Sequence, residues 1–219
     1  MNTLAYIPSP KGFKHQAPHS RGFLFVECWV DLNMSRYITL LLFIGLAWGQ
    51  SQDLSVDELI KHLDLEPHPA GGLFFRQTYK SDGVIPKSVL PKDYHGDRNY
   101  NTLIYSLLPE GEKLKFHKLY SDETLHFYMG GPMTIVQISP KGEVEQIILG
   151  QEIFKGHQLQ HIIPAGYWFG IYSLKGSKYS LYGASVSPGF EYDDFIDGDK
   201  EQLLKQFPNA KDIINYIMD

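Results

Sequence analysis

The sequence predicts a mainly β domain, a sandwich or a barrel. The chain is rich in aromatic residues, with 14 Tyr and 13 Phe among 219 residues, and such residues suit pleated, half-buried strands. Between Gly71 and Ser187 short apolar runs alternate with Pro- and Gly-containing turns. That rhythm belongs to many short strands rather than to βαβ units. Helical periodicity is confined to the two ends of this stretch.

The elements follow in chain order. Ser55-Val56-Asp57-Glu58 reads as a capping box, in which Ser55 holds a free helix N–H, Glu58 reaches back to the cap, and Leu54 with Leu59 forms the staple. Val56, Leu59, Ile60 and Leu63 then recur at helical spacing until Pro67 and Pro69 end the helix. Predicted strands cover 73–79, 101–108, 113–119, 123–128, 133–138, 144–149, 161–163, 167–172 and 179–186. The separators are turn-forming: Pro109-Glu110-Gly111, Gly130-Gly131-Pro132, Pro140-Lys141-Gly142 and Pro164-Ala165-Gly166. Two helices close the chain at 201–206 and 210–218, divided by Pro208-Asn209. With no internal repeat and no low-complexity linker, the pattern describes one domain.

Composition narrows the function classes. A hydrophobic content of 43% and a charged content of 21% are those of a globular protein with a core. The net charge of -5 provides no basic field for phosphates, which argues against a nucleic-acid partner. Cys28 is the sole cysteine, so neither an intrachain disulfide nor a Cys-based zinc site can form.

The N-terminal stretch reads as targeting sequence. Ile38 to Trp48 is an apolar run preceded by Arg36, and Ala47 and Gly49 stand where a signal peptidase reads small residues. The run is too short for a stable membrane span, which takes about 20 apolar residues. A signal starting at Met34 is well formed. On this reading 1–33 is an upstream extension outside the fold, 34–49 is a signal peptide, and 50–219 is the mature, secreted domain. If Met1 is the working start, the run is internal. The single Asn-x-Ser/Thr sequon, at Asn33, precedes the mature domain.

One constellation is specific. Gly111, His117, Leu119, Glu123 and Gly130 stand at the spacing of the first cupin motif, with Leu119 where a second His is usual. The stretch from Gly156 to Ser173, around Pro164-Ala165-Gly166, resembles the second cupin motif, with Phe169 where a metal-binding member carries His. Further landmarks are Pro67-His68-Pro69, Gly71-Gly72, Thr78-Tyr79, Ser121-Asp122-Glu123, His126-Phe127-Tyr128, Gln160, Trp168, Pro188-Gly189-Phe190-Glu191 and Phe207-Pro208. Together they resemble the small single-domain cupins of unassigned function, the cupin-5 family, from Leu54 to the C-terminus. The chain departs from that pattern at Ala70, where an acidic residue is usual, and in a Gly71–Tyr79 segment one residue longer.

The resemblance implies a double-stranded β-helix, or jelly-roll barrel, holding a small molecule, and a homodimer paired through strand edges. Leu119 and Phe169 cannot donate a lone pair, so the resemblance implies no metal cofactor; the alternative is a rearranged transition-metal site of His117, Glu123 and His126. Glu123 and His126 are three apart and in a regular strand face opposite sides. The family also resembles the dTDP-sugar 3,5-epimerases, metal-free cupins using a His base and a Tyr acid. By that analogy His117 or His126 would be the base, and Tyr128 or Tyr172 the acid. Glu123, Gln160, Trp168 and Phe169 are then expected to bind ligand. Three readings remain open: a small-molecule-binding cupin without assigned chemistry, a metal-independent epimerase or isomerase acting on a carbohydrate derivative, and a structural or storage-like secreted barrel.

Overall fold

The computed structural model describes residues 54–219. The upstream extension and signal peptide read at 1–33 and 34–49 lie outside the described residues. Helix α1 (Val56–Leu63) starts at the expected capping box: the Ser55 N–H donates to Glu58 Oε2 at 2.9 Å, and the Glu58 N–H donates to Ser55 Oγ at 3.2 Å. It stops at Asp64, whose φ of 54° leaves the helical region.

Two antiparallel sheets carry the fold. The first has six strands in the order β1 (Glu66–Pro67), β2 (Phe74–Lys80), β5 (Thr102–Pro109), β12 (Tyr179–Ser187), β7 (Asp122–Gly130) and β10 (Gln160–Ile163). The second has five, in the order β13 (Ile196–Asp197), β6 (Lys113–Lys118), β11 (Trp168–Ser173), β8 (Met133–Ile138) and β9 (Val144–Leu149). A small ribbon pairs β3 (Val84–Ile85) with β4 (Arg98–Asn99). The C-terminal helices are α2 (Lys200–Gln206) and α3 (Lys211–Met218).

The inner faces share one core, which includes Leu108, Leu125, Phe127 and Tyr182 from the six-stranded sheet and Leu114, Met133, Ile135, Phe169 and Ile171 from the other. Strand β8 is buried along its whole length, because its alternation serves two cores. Met133 and Ile135 point inward, while Val136 and Ile138 meet Leu203, Ile214 and Ile217 of α2 and α3. Gly170 lets α3 settle closely on β11, since a Cβ there would lie 2.9 Å from the Ile217 side chain. On the far side α1 covers Leu107, Tyr179 and Leu181 with Leu59.

The mainly β class and the terminal helices agree with the sequence reading. The closed jelly-roll barrel does not. The two sheets remain separate, and closure would require their edge strands to share a continuous hydrogen-bonded ladder. The edges cannot supply one. β1 and β13 are two residues long and β10 is four, and between β9 and the segment leading into β10 only an isolated bridge, Leu149 to Gln158, forms. The fold is two open sheets facing each other across a core.

Candidate functional site

The facing sheets leave a cavity of about 100 Å³. Its walls are apolar, formed by Leu73, Phe75, Ile104, Leu114, Leu119, Leu125, Phe169 and Ile171, with Phe190 and Phe195 among its further lining. Into it come His68, Gln77, Thr102, Ser106, His117, Glu123, Tyr182 and Tyr192. An apolar hollow with a few convergent polar groups is the usual form of a small-molecule site.

Strand parity decides who reaches it. On β7, Glu123 and Leu125 point inward. Glu123 keeps some accessible surface, and that surface lines the cavity. Burial alone acts on its carboxyl and pushes the pKa up to about 7, with no hydrogen-bond partner among the described residues. His117 on β6 lies between Phe169, 4.0 Å away between ring centroids, and Phe195, stacked at 4.7 Å. Its Nδ1 is 2.9 Å from the Lys115 carbonyl. A carbonyl only accepts, so Nδ1 carries the proton and the free lone pair is on Nε2. Burial drives the His117 pKa down to about 4, against the opposing pull of the Lys115 contact, and nearby His68 lowers it further. The ring is neutral across the physiological range. His68 has the other tautomer when neutral: its Nδ1 accepts the Ala70 N–H at 3.1 Å, which puts the proton on Nε2. Burial lowers its pKa too, and Asp197 partly offsets this. Tyr182 on β12 is buried; burial and the neighbouring Glu123 raise its hydroxyl pKa, while a hydrogen bond with Ser106 opposes them.

The cavity mouth is held by an ion pair. Arg98 of β4 donates from Nε and a terminal nitrogen to both carboxylate oxygens of Asp194, at 2.6 and 2.5 Å, and both side chains are 2% exposed. Tyr94 lies under the guanidinium at 5.4 Å. This bidentate geometry fixes the Tyr192–Asp194 turn, and with it the Phe190–Phe195 segment at the rim. The Phe190 N–H donates to Thr102 Oγ at 3.0 Å, a second tether.

Of the residues singled out in the sequence, the structure brings His117, Glu123, Leu119 and Phe169 to the cavity. It places His126, Gln160 and Tyr128 on the opposite face of β7 and β10. Gln160 lies directly across from His126 in the β10–β7 register and donates to its Nδ1 at 2.9 Å, and the His126 Nε2 contacts Ser185 Oγ at 3.1 Å. Tyr128 is 49% exposed and stands edge-on to Tyr105. Trp168 faces the C-terminal helices, with the Lys118 ammonium 4.6 Å over its ring, and Tyr172 packs against Tyr216 of α3. Sequence reasoning missed Tyr182, Ser106, Gln77 and His68 as lining residues. The signal for Tyr182 was present, since it shares strand parity with the apolar Ala184 of the same inner core.

The donor set does not fit the metal that many cupins carry. Only His117 and Glu123 of the alternative metal triad reach the cavity, His126 points away, and Leu119 and Phe169 close two further positions with apolar groups. Among the described residues no group of three His, Cys, Asp or Glu side chains is placed to hold a metal ion. No helix among them is long and apolar enough to cross a membrane.

Comparison with known proteins agrees with this architecture. The profile of the family described as Cupin superfamily (DUF985) matches residues 57–196. An uncharacterized protein of Saccharomyces cerevisiae is 28% identical over 158 residues, spanning 67% of this chain and 78% of its own. A hypothetical protein from Leishmania major superposes with a TM-score of 0.67 at 27% identity, over 75% of this chain and 98% of that one. A crystal structure of a protein from Shewanella oneidensis superposes with a TM-score of 0.65 at 36% identity, over 75% and 97% of the two chains. The chain belongs to the Cupin superfamily (DUF985) family and is a cupin-fold protein of unassigned function.

Proposed function

We propose that this protein binds a small molecule between its two sheets, with Glu123 and His117 supplying polar contacts and Phe169 and Leu125 apolar ones. The observation that carries this reading is the Glu123 carboxyl, turned into an apolar cavity without a protein partner. The carboxyl keeps accessible surface inside the cavity, so it is open to a donor brought by a ligand. Ala184 lines the same space, and Ala184→Phe would fill it. Small molecules released from natively purified protein should include a compound enriched in the wild type and missing from this variant; identical profiles would refute the reading.

A proton-transfer enzyme is the second reading, favoured by Glu123, a carboxyl that titrates near neutrality in the cavity that the Tyr182 hydroxyl also lines. On this reading Glu123 is the base, and His126 and Tyr128 take no part. A nucleotide-sugar substrate is disfavoured, because among the described residues no Lys or Arg lines the cavity and its volume is small. The plugged storage-like barrel is disfavoured by the cavity itself. Export through the secretory pathway and a homodimer remain part of the proposal, the second supported by Leu103, Tyr128 and Ile162 exposed on the six-stranded sheet.

A further inference from the structure

Among the described residues that line the cavity Glu123 is the sole acid, beside Gln77, Thr102, Ser106 and Tyr192, which can donate or accept. Glu123 offers two oxygens and receives no protein donor. His117 has spent its N–H on the Lys115 carbonyl and turns only a lone pair outward. The Tyr182 hydroxyl is engaged with Ser106. Among the described residues no Lys or Arg lines the space, and Arg98, on the neighbouring ribbon, is taken up by Asp194 and the Asp97 carbonyl.

The approach from solvent has the same character. An outer pocket lined by His68, Pro69, Ala70, Tyr192, Phe195 and Asp197 shares His68, Tyr192 and Phe195 with the cavity. Its charged side chain is the exposed Asp197 carboxylate, and His68 is held toward its neutral form by burial. A ligand moving inward thus passes a carboxylate and aromatic faces before it reaches Glu123.

From an aromatic-walled cavity whose one acid finds no Lys or Arg among the described lining residues we infer that the ligand is a small alkylammonium, its head on Glu123 and His117 and its body against the apolar walls. The inference rests on the small-molecule reading above and specifies its ligand class. An ammonium brings a positive charge and three donors, which the Glu123 carboxylate and the His117 lone pair complement. Aromatic rings at the mouth attract cations through their π faces. A carboxylate or phosphate ligand would face Glu123 with no cation to hold it, and an alcohol would leave the Glu123 charge unpaired. Size is set by volume: a cavity of 150 Å³ holds benzene, so one of about 100 Å³ takes a molecule of fewer heavy atoms.

The test is an NMR titration of the full chain with n-butylamine, 1-butanol and butyrate at about pH 8, where Glu123 is ionised and the amine is still cationic. Aromatic side-chain resonances of the cavity report binding. Hydrogen bonds to charged groups contribute enough for butylammonium to bind about tenfold tighter than butanol, and butyrate should not saturate. Glu123→Gln should weaken the amine by about tenfold and leave butanol within about twofold. Equal or tighter butanol binding in the wild type, or an amine unaffected by Glu123→Gln, overturns the ammonium assignment while leaving the cavity standing as a small-molecule site. Failure of all three compounds to move cavity resonances overturns the cavity reading together with it. The wild-type comparison needs no variant and so does not depend on how Glu123→Gln folds.

Discussion

Replacing Glu123 by Gln should stabilise the protein at alkaline pH and leave it unchanged in acid. In the folded protein the carboxyl titrates at about 7 rather than at its ordinary 4.5, because burial opposes its charge. Between these values the native state holds a proton that the unfolded chain has released. The stability present below 4.5 is therefore lost as the pH rises through 7. At about 1.4 kcal/mol per pH unit the gap amounts to about 3 kcal/mol, and water entering the cavity to solvate the carboxylate reduces this to about 1–3 kcal/mol. Gln keeps the shape and never ionises. Urea denaturation followed by far-UV circular dichroism should show the variant about 1–3 kcal/mol more stable at about pH 8.5 and equal to the wild type at about pH 4. A variant no more stable at alkaline pH, or weakened equally at both, would refute the argument that Glu123 is a desolvated, unpartnered acid.

Three further outcomes follow from the same geometry. His117, with its pKa depressed to about 4, contributes stability that is present above the ordinary His value and lost as pH falls through 4; its ring resonances should show the Nδ1–H tautomer and no titration near neutrality, and a midpoint near 6.5 would contradict its burial. Arg98→Ala leaves the Asp194 carboxylate buried and unpaired and should cost about 3–5 kcal/mol in chemical denaturation, most of it recovered by Arg98→Met combined with Asp194→Leu. A single-variant loss under about 1 kcal/mol would mean that the pair is solvated. Protein isolated from its own cells should begin near Gln50 or Ser51 by N-terminal sequencing, and an intact Met1 start would refute the signal-peptide reading.

How much of this was legible in the sequence depends on the length of each element. The longer strands announced themselves through alternation and turn chemistry, and the capping box at Ser55 formed as expected. The two-residue strands β1, β3, β4 and β13 did not, since alternation cannot be read over two positions. The shortness of the edge strands β1, β13 and β10 is also why the sheets stay open where the family resemblance implied a barrel. In the candidate site, motif spacing located His117 and Glu123, but period-two geometry was applied unevenly. Glu123 and His126 are three apart, and Trp168 and Phe169 are adjacent, so neither pair can share a face of a regular strand. The structure puts one of each pair in the cavity and the other outside it. Tyr182 was readable from its parity with Ala184 but was passed over in a Tyr-rich chain, and that it shares the cavity with Glu123 depends on the pairing of β12 with β7, a long-range register.

The position of Trp168 governs what can be observed by light. It is the sole tryptophan among the described residues, and it lies beneath the C-terminal helices with an ammonium over its ring. Its emission should therefore follow the docking of α2 and α3 and stay silent while the cavity fills. A fluorescence screen for ligands would return false negatives, whereas the same signal, dim or shifted in a shortened chain, would reveal the undocking of the helical cap before the sheets themselves come apart.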